Sequence, residues 1–158
     1  MLYQKHRKGG VSMRKILVCT DGSNHSKEAA IKASNFIQKL ENVKVYVLHV
    51  QKDPSNEMKR NVGMPRSENI DHMNQEGKAQ GDRVLDETAK IFEEKRIPVT
   101  KELKTGNPTN KIINFANQEG IDLIVLGHRG RNGIQKLLLG SVSNSVAQKT
   151  TKDVWIIK

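Results

Sequence analysis

Cysteine occurs once in this 158-residue chain, and aromatic residues make up only 4% of it. A lone cysteine forms no disulfide within the chain, so a disulfide-stapled secreted scaffold is excluded and a reducing cytoplasm is the expected compartment. Trp155 and the three phenylalanines (Phe36, Phe92 and Phe115) are scattered, with no arrangement for stacking bases like that of an RNP motif or an OB-fold. That scarcity argues against nucleic acid, although the net charge of +10 would suit nucleic acid, a membrane surface or a small anion. No apolar run has the length of a membrane span. The N-terminal MLYQKHRKGGVSM is basic but has no apolar core, so it does not read as a secretory signal. No Ser-His-Asp or Cys-His arrangement and no ligand cluster with metal spacing stands out.

What is present is a globular composition, 35% hydrophobic and 28% charged, in a length that suits one domain. Residues 1–12 carry Lys5, Arg7 and Lys8 and no acid. They read as an N-terminal extension ahead of a domain over 13–158. Two readings of it stay open. Codons for Lys8-Gly9-Gly10 can spell a ribosome-binding site, which would make Met13 the natural start, or the segment is a basic tail.

From there strands and helices alternate. Arg14–Thr20 is a short buried strand, followed by the turn Asp21-Gly22-Ser23. Ser23 or Asn24 caps a helix running to about Leu40 with Ala30, Ala33 and Ile37 on one face. Val43–Val50 is a second strand. The polar stretch from Gln51 to Ser67 is long for a compact domain and reads as a flap or an unstructured loop. A long helix extends over about 68–95, with Val84, Leu85, Thr88, Ile91 and Phe92 inward. Gly77 and Gly81 either weaken that helix or let it approach a neighbour closely. Pro98–Leu103 suits an edge strand, and Gly106-Asn107-Pro108 introduces a short helix that Gly120 ends. Ile121–Leu126, a helix from Ser141 to Thr150 and a final strand Asp153–Lys158 complete a β-α-β-α-β-α-β-α-β order. Such alternation predicts a doubly wound parallel sheet with helices on both faces.

The segment Gly127–Ser141, GHRGRNGIQKLLLGS, carries the functional signal. It leaves a strand and enters a helix. Gly127, Gly130 and Gly133 let backbone amides approach a ligand, and Gly140 and Ser141 stand at a helix start that favours phosphate. Arg129 and Arg131 add guanidinium groups suited to phosphate. The alternative is a glycine-rich turn with a serine cap. The spacing excludes a P-loop, which needs a lysine after its second glycine, and a dinucleotide fingerprint, which needs G-x-G-x-x-G after the first strand.

What remains, G-x-x-G, nine residues and then G-S, resembles the universal stress protein family. DLIVLGHRGRNGIQKLLLGSVSNSV is similar to that family's C-terminal block and ILVCTDGSNHSKEAA to its opening block. The resemblance implies an adenine nucleotide alpha hydrolase-like sheet of five mainly parallel strands in the order 3-2-1-4-5, and a loop that holds the ribose and phosphates of ATP. In that order strands 1 and 4 are neighbours where the chain reverses, which is where doubly wound sheets bind ligands. Residue by residue, the resemblance assigns the base or ribose to Asp21, with Thr20 beside it, and the adenine to the backbone of Val50. The family's loop puts Gly127, Gly130, Gly140 and Ser141 at the phosphate end. Read from the residues themselves, His128 or, alternatively, Arg129 is a phosphate partner or else a solvated loop residue, and Ser141, Val142 and Ser143 offer amides and hydroxyls at the helix start. Mg²⁺ or Mn²⁺ would arrive with the phosphates, since such ions need few protein ligands.

The resemblance also implies a homodimer through the last strand, Asp153–Lys158, whose Val154-Trp155-Ile156-Ile157 run is too apolar to leave as a bare edge. The chain departs from the family at Lys152-Asp153-Val154, where a proline is usual, and at Cys19, where some nucleotide-binding members carry proline. The implied role is stress-linked sensing or regulation, with the nucleotide as ligand. A nucleotide-independent stress protein and a slow ATPase are the alternatives. Because no positioned nucleophile is evident, purified protein is expected to hydrolyse ATP well below the ~1–1000 per second common among enzymes. Brisk metal-dependent phosphate release, abolished by Asp21→Ala or His128→Ala, would place the chain among enzymes instead.

Overall fold

The computed structural model describes residues 2–3, 14–53, 67–128 and 139–158. The elements are β1 (Leu2–Tyr3), β2 (Lys15–Thr20), α1 (Asn24–Ile37), β3 (Lys44–Gln51), α2 (Ser67–Glu93), β4 (Val99–Thr105), α3 (Pro108–Gln118), β5 (Leu123–Gly127), α4 (Ser141–Lys149) and β6 (Asp153–Ile157). Five strands run parallel in the order β4-β3-β2-β5-β6, the order 3-2-1-4-5 that the resemblance implies. One finding departs from the expectation. The outer side of β6 is not a bare edge, because β1 pairs with it antiparallel, Leu2 opposite Trp155 and Tyr3 opposite Val154.

The alternation of side chains along the strands makes two cores. Ile16, Val18, Val45, Val47 and Val125 face α1 and α2, where Ala29, Ala30, Ala33, Leu85 and Phe92 meet them. Leu17, Cys19, Leu48, Ile124 and Leu126 face α3 and α4, where Ile112, Phe115, Ala116 and Val146 close the second layer. Cys19 lies wholly inside that layer, and burial pushes its thiol far above the usual range, so it is inert.

Local signals act as their chemistry dictates. The Ser23 side chain accepts from the Ser26 amide and caps α1, and Asn107 does the same for α3 with Pro108 in the first turn. Gly120 ends α3 at φ 64°, a left-handed position that glycine adopts without strain. Gly81 explains how α2 packs: a Cβ there would stand 2.6 Å from Leu103 Cδ1 and 3.2 Å from Gln51 Oε1, so the bare backbone admits β3 and β4 side chains.

A run of buried hydroxyls fixes α2 and α1 to the end of β2. Thr88 Oγ1 donates to Thr20 Oγ1 at 3.0 Å, with the Val84 carbonyl also 2.9 Å away. Ser26 Oγ lies 3.2 Å from Thr20 Oγ1 and donates to the Ser23 carbonyl at 2.9 Å. The Ser26 proton is thereby committed, so Thr20 donates to Ser26, and Thr20 also accepts from the Gly22 amide. Thr88→Val keeps the shape of a fully buried side chain and removes the first donor of this run. Urea unfolding should show a loss of about 1 kcal/mol; an unchanged midpoint and slope would mean that the run adds nothing to stability.

Candidate functional site

The parallel strands end together. His49 is level with Thr20 in the β2–β3 register, and β5 pairs Val125 with Val18, so Gly127 falls level with Thr20 two residues on. Ile157 lies opposite Gly127 on the far side of β5. Asp21 and Val50, each one residue further, stand at the same carboxyl edge. β2 and β5 are the neighbours between which the chain reverses, so this edge opens into the switch-point crevice of a doubly wound sheet.

Asp21 is half-buried, and its Oδ1 accepts from the Ser23 amide at 3.0 Å, an Asx turn that leads into α1. Gly22 between them takes φ 77°, where a side chain would be strained. Thr20 is 5% exposed, and its hydroxyl is spent inside the fold. Val50 is partly buried and packs its side chain beside the second core. His49 Nδ1 sits 2.8 Å from the Thr20 carbonyl and holds the ends of β2 and β3 together.

On the other wall, the His128 amide donates to the Ile157 carbonyl at 2.8 Å, and the His128 carbonyl accepts from the Gly140 amide at 2.7 Å. The glycine loop therefore departs and returns at one point. Arg129 and Gly130, with Arg131 and Gly133, lie outside the described residues. The loop returns into α4, whose N-cap is Gly140, a residue with no side chain to cap the helix. The amides of Ser141, Val142 and Ser143 form its first turn, at the positive end of the helix dipole. Ser141 is exposed and Val142 half-buried, while Ser143 is buried and its hydroxyl donates to the Gly127 carbonyl at 2.7 Å. That bond seats the start of α4 directly on the end of β5.

Gly127 has a structural role that its motif does not reveal. A Cβ on it would stand 2.8 Å from the backbone carbon and oxygen of His25, in the first turn of α1. His25 itself is a site neighbour that the sequence reading did not single out. Its ring meets that of His128 edge-on, with centroids 4.3 Å apart, and its Nδ1 is buried without a hydrogen-bond partner among the described residues. The available signal was its place two residues past the Asp-Gly-Ser turn, which sets it in the helical turn facing the crevice.

The universal stress protein family model matches residues 13–158. The chain belongs to the universal stress protein family. Universal stress protein MJ0531 of Methanocaldococcus jannaschii is 32% identical over 152 residues, 96% of this chain and 86% of the relative. The solved structure of MJ0577, a protein described there as hypothetical, superposes with a TM-score of 0.73 at 27% identity, covering 94% of this chain and 97% of that one. Two more distant universal stress protein structures share the fold. One is in complex with cAMP (TM-score 0.64, 21% identity, 93% of this chain and 98% of that one). The other, from Archaeoglobus fulgidus, is in complex with dAMP (TM-score 0.61, 20% identity, 92% and 98%).

The Gly127 contact is with backbone, which cannot swing aside. Gly127→Ala should therefore cost about 1–3 kcal/mol of stability through displacement of α1. Thermal unfolding checks it, and a melting temperature equal to that of the unmodified chain would contradict the packing role.

Proposed function

We propose that this universal stress protein binds an adenine nucleotide, ATP first among them, in the crevice between β2 and β5, and that it acts in stress-response sensing or regulation. The observation that carries the reading is the start of α4. Two helices, α1 and α3, have a side-chain cap, whereas α4 begins with Gly140 and no such cap, at the switch point and seated on Gly127. A phosphate there would accept from the amides of Ser141, Val142 and Ser143. His128 lies beside this turn, and Arg129 and Gly130 follow it in the loop. Asp21 and the backbone of Val50 and Thr20 would meet the ribose and base across the crevice. The fold-sharing structures that carry cAMP and dAMP support an adenine nucleotide as the ligand class.

Mg²⁺ or Mn²⁺ would be held chiefly by the phosphates and by water. Among the described residues no group of three or more His, Cys, Asp or Glu side chains is gathered to hold a metal. Among the same residues no helix is long and apolar enough to cross a membrane. A cytoplasmic location fits the one inert, buried thiol. Pairing of two chains through Asp153–Lys158 belongs to the same reading, for the state in which the outer side of β6 is open.

Gly140→Asp separates ligand from fold. An aspartate is a favoured N-cap, so helix α4 should be kept or strengthened. The carboxylate would occupy the first-turn amides and repel phosphate. Calorimetry should show ATP affinity falling about tenfold or more, close to 1.4 kcal/mol at the lower end, with unchanged circular dichroism. ATP binding as tight as that of the unmodified chain would remove the α4 start from the site, and no ATP binding by the unmodified chain would favour the nucleotide-independent alternative.

A further inference from the structure

Two imidazoles meet at the carboxyl edge of the sheet, and each is carried by well-fixed backbone. His25 stands in the first turn of α1, its backbone carbon and oxygen set where a Cβ of Gly127 would be. His128 follows Gly127 in the chain. Its amide is tied to the Ile157 carbonyl at 2.8 Å and its carbonyl to the Gly140 amide at 2.7 Å. The rings touch edge-on with centroids 4.3 Å apart, and both residues are half-buried, so neither is sealed from solvent.

Each ring has a nitrogen whose surroundings point to a ligand. Nδ1 of His128 lies 3.3 Å from the Ile157 carbonyl. A carbonyl only accepts, so Nδ1 carries the proton in this contact and the ring lone pair is on Nε2. A backbone carbonyl behind one nitrogen is the usual support for an imidazole that binds a metal through the other. Nδ1 of His25 is buried and has no hydrogen-bond partner among the described residues. In a neutral ring that atom is an unbonded N–H or an unshared lone pair, and burying either is costly. A metal bond to the lone pair removes that cost.

We propose that His25 and His128 form a two-imidazole site for a divalent ion of the zinc class, with its remaining positions taken by water or by an oxygen anion. The chemistry of the donors selects the ion. Imidazole nitrogen suits Zn²⁺, Cu²⁺ and Ni²⁺, whereas Mg²⁺ and Mn²⁺ seek oxygen. Zn²⁺ holds imidazole nitrogen at about 2.0–2.1 Å in a tetrahedral array, which puts two such nitrogens about 3.3 Å apart. Rings already in contact can reach that spacing by side-chain rotation, with the backbone unmoved. Among the described residues no third His, Cys, Asp or Glu gathers with the pair. Two positions of a tetrahedral ion therefore stay open, as in exchangeable sites rather than closed structural ones. The site stands without the nucleotide reading, because both ligands belong to the chain itself.

A second imidazole pairing supplies the control. His72 Nδ1 lies 3.5 Å from Glu76 Oε1 one turn on along α2, with both side chains more than two-thirds exposed. That pair is free to move and is the obvious place for loose surface binding of the same ion.

Calorimetry with Zn²⁺ alone on the full chain, without nucleotide, tests the site. One ion per chain should bind most tightly. Phenylalanine keeps a ring of similar size without nitrogen, so His25→Phe and His128→Phe should each weaken that binding at least about tenfold, the loss that follows even from removing a ligand's support. His72→Ala should leave it unchanged, and Mg²⁺ should give no comparable binding. In the unmodified chain the imidazole ¹⁵N signals of His25 and His128 should shift by one equivalent of Zn²⁺, a readout that needs no variant to fold. Zn²⁺ affinity unchanged in either phenylalanine variant, lost in His72→Ala, matched by Mg²⁺ or absent from the unmodified chain would overturn the site. So would His25 and His128 signals that stay in place.

Discussion

The carboxyl edge of the sheet depends on how closely the first turn of α1 lies on Gly127. With no Cβ in the way, the His25 backbone reaches within van der Waals distance of β5. That approach draws α1 over the β2–β5 junction and sets Ser26 beside Thr20, where the hydroxyl run begins. The Gly127 carbonyl is in turn held by Ser143, so α4 starts at the same point from the opposite layer. Helices from the two faces of the sheet therefore converge on a single glycine. A side chain at that position would push the first turn of α1 and the start of the site apart.

Function follows from where that convergence sits. In a parallel sheet the strand ends at the switch point are the one edge that neighbouring crossovers leave uncovered. Here they carry a turn carboxylate, a helix start without a side-chain cap, and two imidazoles in edge contact. Hydroxyls that look like ligand groups in sequence, those of Thr20 and Ser143, are spent on the fold. The groups left to meet a ligand are mainly backbone amides and loop side chains. Such an arrangement suits the phosphate-bearing ligand proposed above.

The fold was largely legible because its signals are local. Strand and helix periods, the Ser23 cap, the Gly106-Asn107-Pro108 turn and the Gly120 stop each follow from the chemistry of a few neighbouring residues. The strand order came from the two matching sequence blocks rather than from periodicity, which says nothing about which strands pair. β1 was not legible: two residues in a basic segment show no alternation, and their pairing depends on an edge more than a hundred residues away. Thr88 was read as part of the buried stripe, but its partner on β2 is a tertiary contact. Gly127 was read as room for a ligand, and the structure adds a close approach of the His25 backbone that its motif does not reveal. Ligand contacts at Arg129 and Gly130 lie outside the described residues and stay with the proposal.

The central claim is that nucleotide phosphates meet the start of α4 beside Gly127. Backbone amide NMR during an ATP titration reads this directly. The account predicts saturable shifts concentrated at Gly127, His128 and Gly140–Ser143, with smaller ones at Asp21 and Val50. Unmoved amides at those positions at millimolar ATP, or shifts confined to a different surface, would contradict it.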